Sequence, residues 1–113
     1  MARPPEHRPT TRPLPVEEAE QLAAAISAFA TGSRLLLLWA MLAGERNVEE
    51  LATEAGLSQS ATSHQLKVLR DARLVKVRRA GRHAFYSLHD HHVPDVLAAL
   101  RHHYEHVESS EVG

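Results

Sequence analysis

Cysteine is absent from the 113-residue sequence. That excludes a disulfide framework, thiolate metal sites and cysteine nucleophiles together. Aromatic residues are scarce, with one Trp, two Tyr and two Phe, so a core has to rest on Leu, Val and Ala. The longest apolar run, "LLLLWAMLA" at residues 35–43, is about half the length that a membrane-spanning helix needs. The opening "MARPPEHRPTTRPLP" lacks the apolar segment of a secretory signal. These absences predict a cytoplasmic protein with no membrane partner. Neither charge sign dominates, the formal net charge being −1.

A near-neutral average hides a local field. Seven of the thirteen Lys and Arg residues lie between Lys67 and Arg82. Across residues 57–89 the only acidic residue is Asp71, while acidic residues fill 17–20 and 45–54. A phosphate backbone responds to such a basic block rather than to the chain's average charge. Five of the six prolines fall within residues 1–15, which predicts a disordered arm. Residues 16–107 fit one domain, and 108–113 read as a flexible tail.

Hydrophobic spacing then divides the domain. Leu22, Ala25, Ile26 and Phe29 form one stripe of a helix over 16–30. "TGSR" at 31–34 interrupts it. A second, nearly all-apolar helix runs to residue 42 and is closed by Gly44. Asn47, with Glu50 three residues on, starts a short helix in a capping-box pattern, and Gly56 ends it. Ser58 is a good N-cap for the next helix. Two short helices joined by a tight turn are a helix-turn-helix.

The second of them begins with Ser58, Gln59, Ser60, Thr62, Ser63 and His64, followed by Lys67. Hydroxyls, amides and a cation at that end suit base edges and phosphates in a major groove. Residues 74–88 then alternate apolar and polar around Ala80-Gly81, a β-hairpin signal. A hairpin directly after a helix-turn-helix is a wing, and Arg78, Arg79 and Arg82 near its tip would meet phosphates. The last helix, over 92–106, tolerates Pro94 in its first turn. Val93, Leu97, Leu100, Tyr104 and Val107 follow a heptad seam, the pattern of a helix that packs on a second copy.

The stretch "ELATEAGLSQSATSHQLKVLRDARLVKVRRAGRHAFYSL" resembles the helix-turn-helix and wing of the ArsR/SmtB family of metal-responsive repressors. The resemblance rests on "ELA" at 50–52, "GLSQSATSHQLKVLR" at 56–70 and "AGR…YSL" in the wing, and extends over about residues 22–107. It implies a mainly α fold with a β-hairpin wing, a winged helix-turn-helix, forming a homodimer through its first and last helices. Leu22, Ile26, Val93, Val96, Leu97, Leu100 and Tyr104 would then line the interface. It also implies that operator DNA is bound without the metal and released with it. Partner proteins are not indicated.

One of the family's ligand positions uses cysteines on the helix near residues 48–55, and this chain has none. Another uses Asp-x-His at the start of the last helix, then His and His or Glu three apart near its end. "DHH" supplies Asp90 and His92, and "HYEH" supplies His103 and His106. On one helix, His92 and His103 would stand about 16 Å apart, whereas a metal–nitrogen bond is about 2 Å. One chain cannot close such a site. Two antiparallel copies can, with two equivalent sites per dimer. One carboxylate and three imidazoles suit Zn(II) or Ni(II), with Co(II) behind them. Nickel takes more ligands, and His89, His91, His102 and His7, or Glu105 and Glu108, could supply them. His64 and His83 belong with the DNA-binding half. The rival reading is a winged-helix regulator that senses no metal and works as an activator or with a partner. A zinc enzyme is disfavoured, because four protein ligands leave no open position.

Overall fold

The computed structural model describes residues 11–112, with side chains through residue 107. Helix α1 spans Val16–Ser27 and α2 spans Gly32–Ala40, which runs into a 3-10 turn at Met41–Ala43. Strand β1 is Arg46–Asn47, and helices α3 (Val48–Ala55) and α4 (Gln59–Asp71) follow. Strands β2 (Val75–Ala80) and β3 (His83–Leu88) form the wing, and α5 is His92–Val112.

Local chemistry accounts for most of these boundaries. Thr31 caps α2, its hydroxyl accepting from the Arg34 amide at 3.2 Å, so the expected break at 31–34 is a helix start. Asn47 and Glu50 form a reciprocal capping box on α3, at 2.8 and 3.0 Å. Gly56 adopts a left-handed φ of 69°. The Leu57 amide then donates to the Ala52 carbonyl at 3.0 Å, which is a Schellman ending. Ser58 caps α4 by accepting from the Ala61 amide at 3.0 Å. Helix α4 ends in the same motif without a glycine. The Arg73 and Leu74 amides donate to the Arg70 and Leu69 carbonyls, both at 2.9 Å, and Arg73 carries a φ of 62°.

The wing is an antiparallel hairpin in which Val75 faces Leu88 and Ala80 faces His83. Gly81, with φ 61°, opens its two-residue loop, where a left-handed φ matches the twist of the strands. Strand β1 adds a third strand that sequence periodicity does not reveal. Arg46 pairs Tyr86 and Asn47 pairs Phe85, giving the order β1-β3-β2. The strand joins the helix-turn-helix to its wing.

The core gathers Leu37, Leu38 and Met41 from the second helical segment, Leu51 from α3, Leu66 and Leu69 from α4, and Val75 from β2. Val93 and Leu97 of α5 complete it, at 5% and 0% exposure. That corrects the expected interface. These two residues are consumed by the protomer's own core, and only the later part of the heptad seam remains outside. Helix α1 contributes no buried residue. It ends at Ser27, earlier than expected, and Phe29 turns in against the core. Helix α5 continues to Val112, beyond the expected end at His106 and into the stretch read as a tail. His7 and most of the proline-rich arm lie outside the described residues.

Arg73→Gly is expected to stabilise the protein by about 1 kcal/mol, because the left-handed conformation costs a side-chain-bearing residue about that much. Gly56→Ala should cost a similar amount. Urea unfolding at one fixed protein concentration measures both.

Candidate nucleic-acid interface and metal centre

The polar start of α4 sorts into two faces. Gln59, Ser60, Ser63, His64, Lys67 and Arg70 are exposed. Ser60, Ser63, His64 and Lys67 recur at spacings of three and four, so they share one side of the helix. Lys67 approaches Asp71 at 3.8 Å, both largely exposed, a pairing too weak to hold it from a phosphate. Thr62 departs from the expectation. Its side chain is 0% exposed and its Oγ1 has no hydrogen-bond partner. It faces the core and cannot touch a base. Ser58 is exposed, but its Oγ is engaged as the cap of α4.

The wing arginines divide similarly. Arg79 and Arg82 are exposed at the tip. Arg78 instead grips Glu45 with two donors, Nη2 to Oε1 at 2.9 Å and Nε to Oε2 at 3.0 Å. Its guanidinium also lies 4.9 Å from the centre of the Phe85 ring. The hydrogen bond to Arg78 lowers the Glu45 pKa, and the same bond raises that of Arg78. Arg78 therefore braces the wing against the segment before β1 rather than offering a free charge to DNA. Between the helix-turn-helix and the wing lies a groove of about 220 Å³, bordered by Asn47, Gln59, Arg82 and His83. It joins the start of α4 to the tip of the wing in one surface.

At the start of α5 three side chains meet. Asp90 Oδ1 accepts from the His92 amide at 2.8 Å and so caps the helix. Asp90 Oδ2 lies 3.1 Å from His89 Nδ1, and His92 Nδ1 stands 3.3 Å from Oδ1. The His91 and His92 rings pack with centroids 4.1 Å apart, tilted by 35°. The His89 hydrogen bond first, then the His92 amide, pull the Asp90 carboxyl from 3.8 to about 2. His102, His103 and His106 are exposed at the far end of the described side chains. Among the described residues no group of three or more His, Asp or Glu is arranged to hold a metal ion. The two histidine clusters are therefore separate, one at the start of α5 and one about three turns further along it.

The surface that a second copy could cover is also present. Leu22, Ile26, Val96, Leu100 and Tyr104 are exposed. An apolar groove of about 510 Å³ runs between α2 and α5, lined by Leu35, Leu36, Trp39, Leu97, Leu100, Arg101 and Tyr104. Arg101 closes its rim, 5.2 Å from the centre of the Trp39 ring and bonded to Glu105 at 3.1 Å. Sequence reading missed one further contact. Arg34 Nε donates to Gln65 Oε1 at 2.8 Å, tying α2 to α4 across 31 residues. No local pattern announces a pair so far apart, and the same holds for Glu45 and Arg78.

Residues 31–77 match the family described as "Bacterial regulatory protein, arsR family". The chain is 45% identical over 101 residues to the HTH-type transcriptional regulator NmtR of Mycobacterium tuberculosis, covering 89% of this chain and 83% of that relative. It is 43% identical over 90 residues to the transcriptional repressor SmtB homolog of Synechocystis, covering 80% and 68%. The chain belongs to the ArsR/SmtB family. Its fold also matches the homodimeric winged helix-turn-helix DNA-binding domain Mb0332 of Mycobacterium bovis, with TM-score 0.75, 30% identity, and coverage of 88% and 95%. As an ArsR/SmtB regulator the chain is a homodimeric DNA-binding repressor of transcription and not an enzyme, and its partner is operator DNA. No single helix among the described residues is long and apolar enough to cross a membrane.

Two outcomes follow from this geometry. Lys67→Ala and Arg82→Ala should each weaken operator binding and reduce the slope of log K against log salt by about one. Thr62→Val should leave that slope unchanged and raise stability by about 1 kcal/mol, since it removes an unpaired buried hydroxyl. Fluorescence anisotropy across a salt series, with urea unfolding, measures both. The depressed Asp90 pKa contributes stability that is fully present above pH 3.8 and is lost as pH falls towards about 2. Asp90→Asn should therefore shallow the acid-unfolding curve in that window, followed by circular dichroism.

Proposed function

We propose that this repressor is metal-responsive, and that its sensor donors are Asp90 and His92 of one copy with His103 and His106 of the other. The observation that carries the reading is the division of exposed His and Asp side chains between the start of α5 and a cluster about three turns further along, with no three of them in either cluster arranged to hold an ion among the described residues. A homodimer with antiparallel α5 helices supplies the missing half twice, by symmetry. One carboxylate and three imidazoles suit Zn(II) or Ni(II), with Co(II) behind them. An ion held there would link the start of one α5 to the middle of the other.

The chain's own residues prepare that site. Asp90 is fixed by the α5 amide and by His89, and it is ionised throughout the neutral range. His89 thus acts as an orienting partner of a ligand, a role that holds carboxylates in position. His91, His102 and Glu105 stand near the same ends and extend the donor supply for a six-coordinate ion, with His7 beyond them in sequence. Imidazoles bind metal only when neutral, so protons compete with the ion and affinity should fall as the pH is lowered. Gln59, Ser60, Ser63, His64 and Lys67, with Arg79 and Arg82, hold the operator. The repressor binds DNA without the ion and releases it with the ion, in the cytoplasm. Each ligand weakens the other by the same factor.

A mixed dimer tests the assignment. Asp90→Ala and His103→Ala chains should each lose Ni(II) and Zn(II) binding and metal-driven release of DNA. A purified dimer of one of each rebuilds a single complete site and should bind one ion, by calorimetry. Failure of that complementation rejects a site shared between chains. No binding of either metal to the wild type favours a regulator that senses none.

A further inference from the structure

Helix α1 is held to its own protomer by very little. It buries no residue, and its exposed Leu22 and Ile26 face away from the core. Its connection to the rest runs through the short segment after Ser27, where Ala28 is buried and Phe29 packs on the core. A partner that shifts α1 must act on the DNA-binding unit through this segment or through whatever grips the helix end.

Arg34 grips that end. Its Nη1 donates to the Ser27 carbonyl, the last residue of α1, at 3.3 Å. Its Nε donates to Gln65 Oε1 at 2.8 Å, and its backbone amide is bound by the cap of α2. One planar guanidinium, carried on the first turn of α2, therefore ties the end of α1 to the middle of α4. Such a fork has fixed donor directions, so a displaced acceptor either turns the group or breaks a bond. Gln65 sits between His64, on the exposed face of α4, and Leu66, fully buried in the core. A pull on Gln65 is delivered where the recognition face meets its foundation.

We propose that Arg34 is a positioning residue that couples α1 to the recognition helix, so that a change in dimer packing alters the fit to DNA through the Ser27–Arg34–Gln65 link. The proposal rests on the metal-responsive reading given above, and it names the route by which that response reaches α4. Arg34 itself touches neither the proposed ligands nor the exposed stripe of α4.

The test measures Ni(II) and Zn(II) affinity of the full-length dimer, free and bound to operator DNA, for wild type, Gln65→Leu, Gln65→Glu and Arg34→Lys. The ratio of the two affinities is the coupling factor. Gln65→Leu should leave metal affinity of the free dimer within about twofold while the coupling factor falls about three- to tenfold. Gln65→Glu, whose carboxylate accepts the same Nε donor, should restore most of the coupling even if its charge weakens DNA binding. Arg34→Lys, a point charge without the fork, should behave like Gln65→Leu, and the pair combined should lower the factor no further. A merely structural role would lower DNA affinity in both free and metal-bound dimers and leave the ratio alone. Coupling factors equal to wild type in both Gln65→Leu and Arg34→Lys would overturn the proposal. A wild-type ratio of one would instead strike the metal reading itself, and the link with it.

Discussion

Burial of Val93 and Leu97 fixes the rotation of α5 about its own axis, and the outer surface of the protein follows from that rotation. At about 100° per residue, Leu100 and Tyr104 continue the same stripe, but the core beneath them has ended and they stand exposed. The helix overhangs its protomer, with an apolar face uncovered beside Leu35, Leu36 and Trp39. His92 and His103 lie about a quarter turn away from that stripe, and His106 lies farther round on the same side. A second copy that covers the apolar overhang therefore brings polar edges together at both ends of the paired helices. Dimer packing and the proposed donor sets are two sides of one helix orientation.

The DNA-binding half is built on stiffness obtained locally. Two Schellman endings, the Ser58 cap and the Asn47–Glu50 capping box fix α3 and α4 before any long-range contact is counted. Strand β1 then carries the wing on the helix-turn-helix, and the Glu45–Arg78 pair, stacked on Phe85, clamps the hairpin beside it. With Arg78 spent in this way, the charge at Arg79 and Arg82 is presented on a braced support. The rim charges of a binding surface act mainly on encounter and register, and a braced wing keeps the register from drifting.

Much of this was legible in the sequence because it is local. Asn47 with Glu50, Gly56, Ser58 and the alternation around Gly81 each announce a cap, a stop or a turn within a few residues. What escaped was decided at a distance or by packing. Strand β1 is two residues long, too short for periodicity. The left-handed turn at Arg73 carries none of the glycine that usually marks one. The polar character of Thr62 suggested a base contact, but helix rotation turned it inward. The heptad spacing on α5 identified a face correctly, yet spacing alone cannot say whether a protomer's own core or a second copy covers it, and here the face is divided. The proposed donors at 90, 92, 103 and 106 stand out because histidine and aspartate in that rhythm serve no core. Their separation along the helix was readable from rise per residue alone.

Helix α1 carries a consequence of another kind. Twelve residues with nothing buried are too few to remain helical in water by themselves. Its own protomer holds it from one end only, through the Arg34 bond to Ser27 and the packing of Ala28 and Phe29. Whatever covers Leu22 and Ile26 therefore adds stability to the helix as well as burying an apolar stripe.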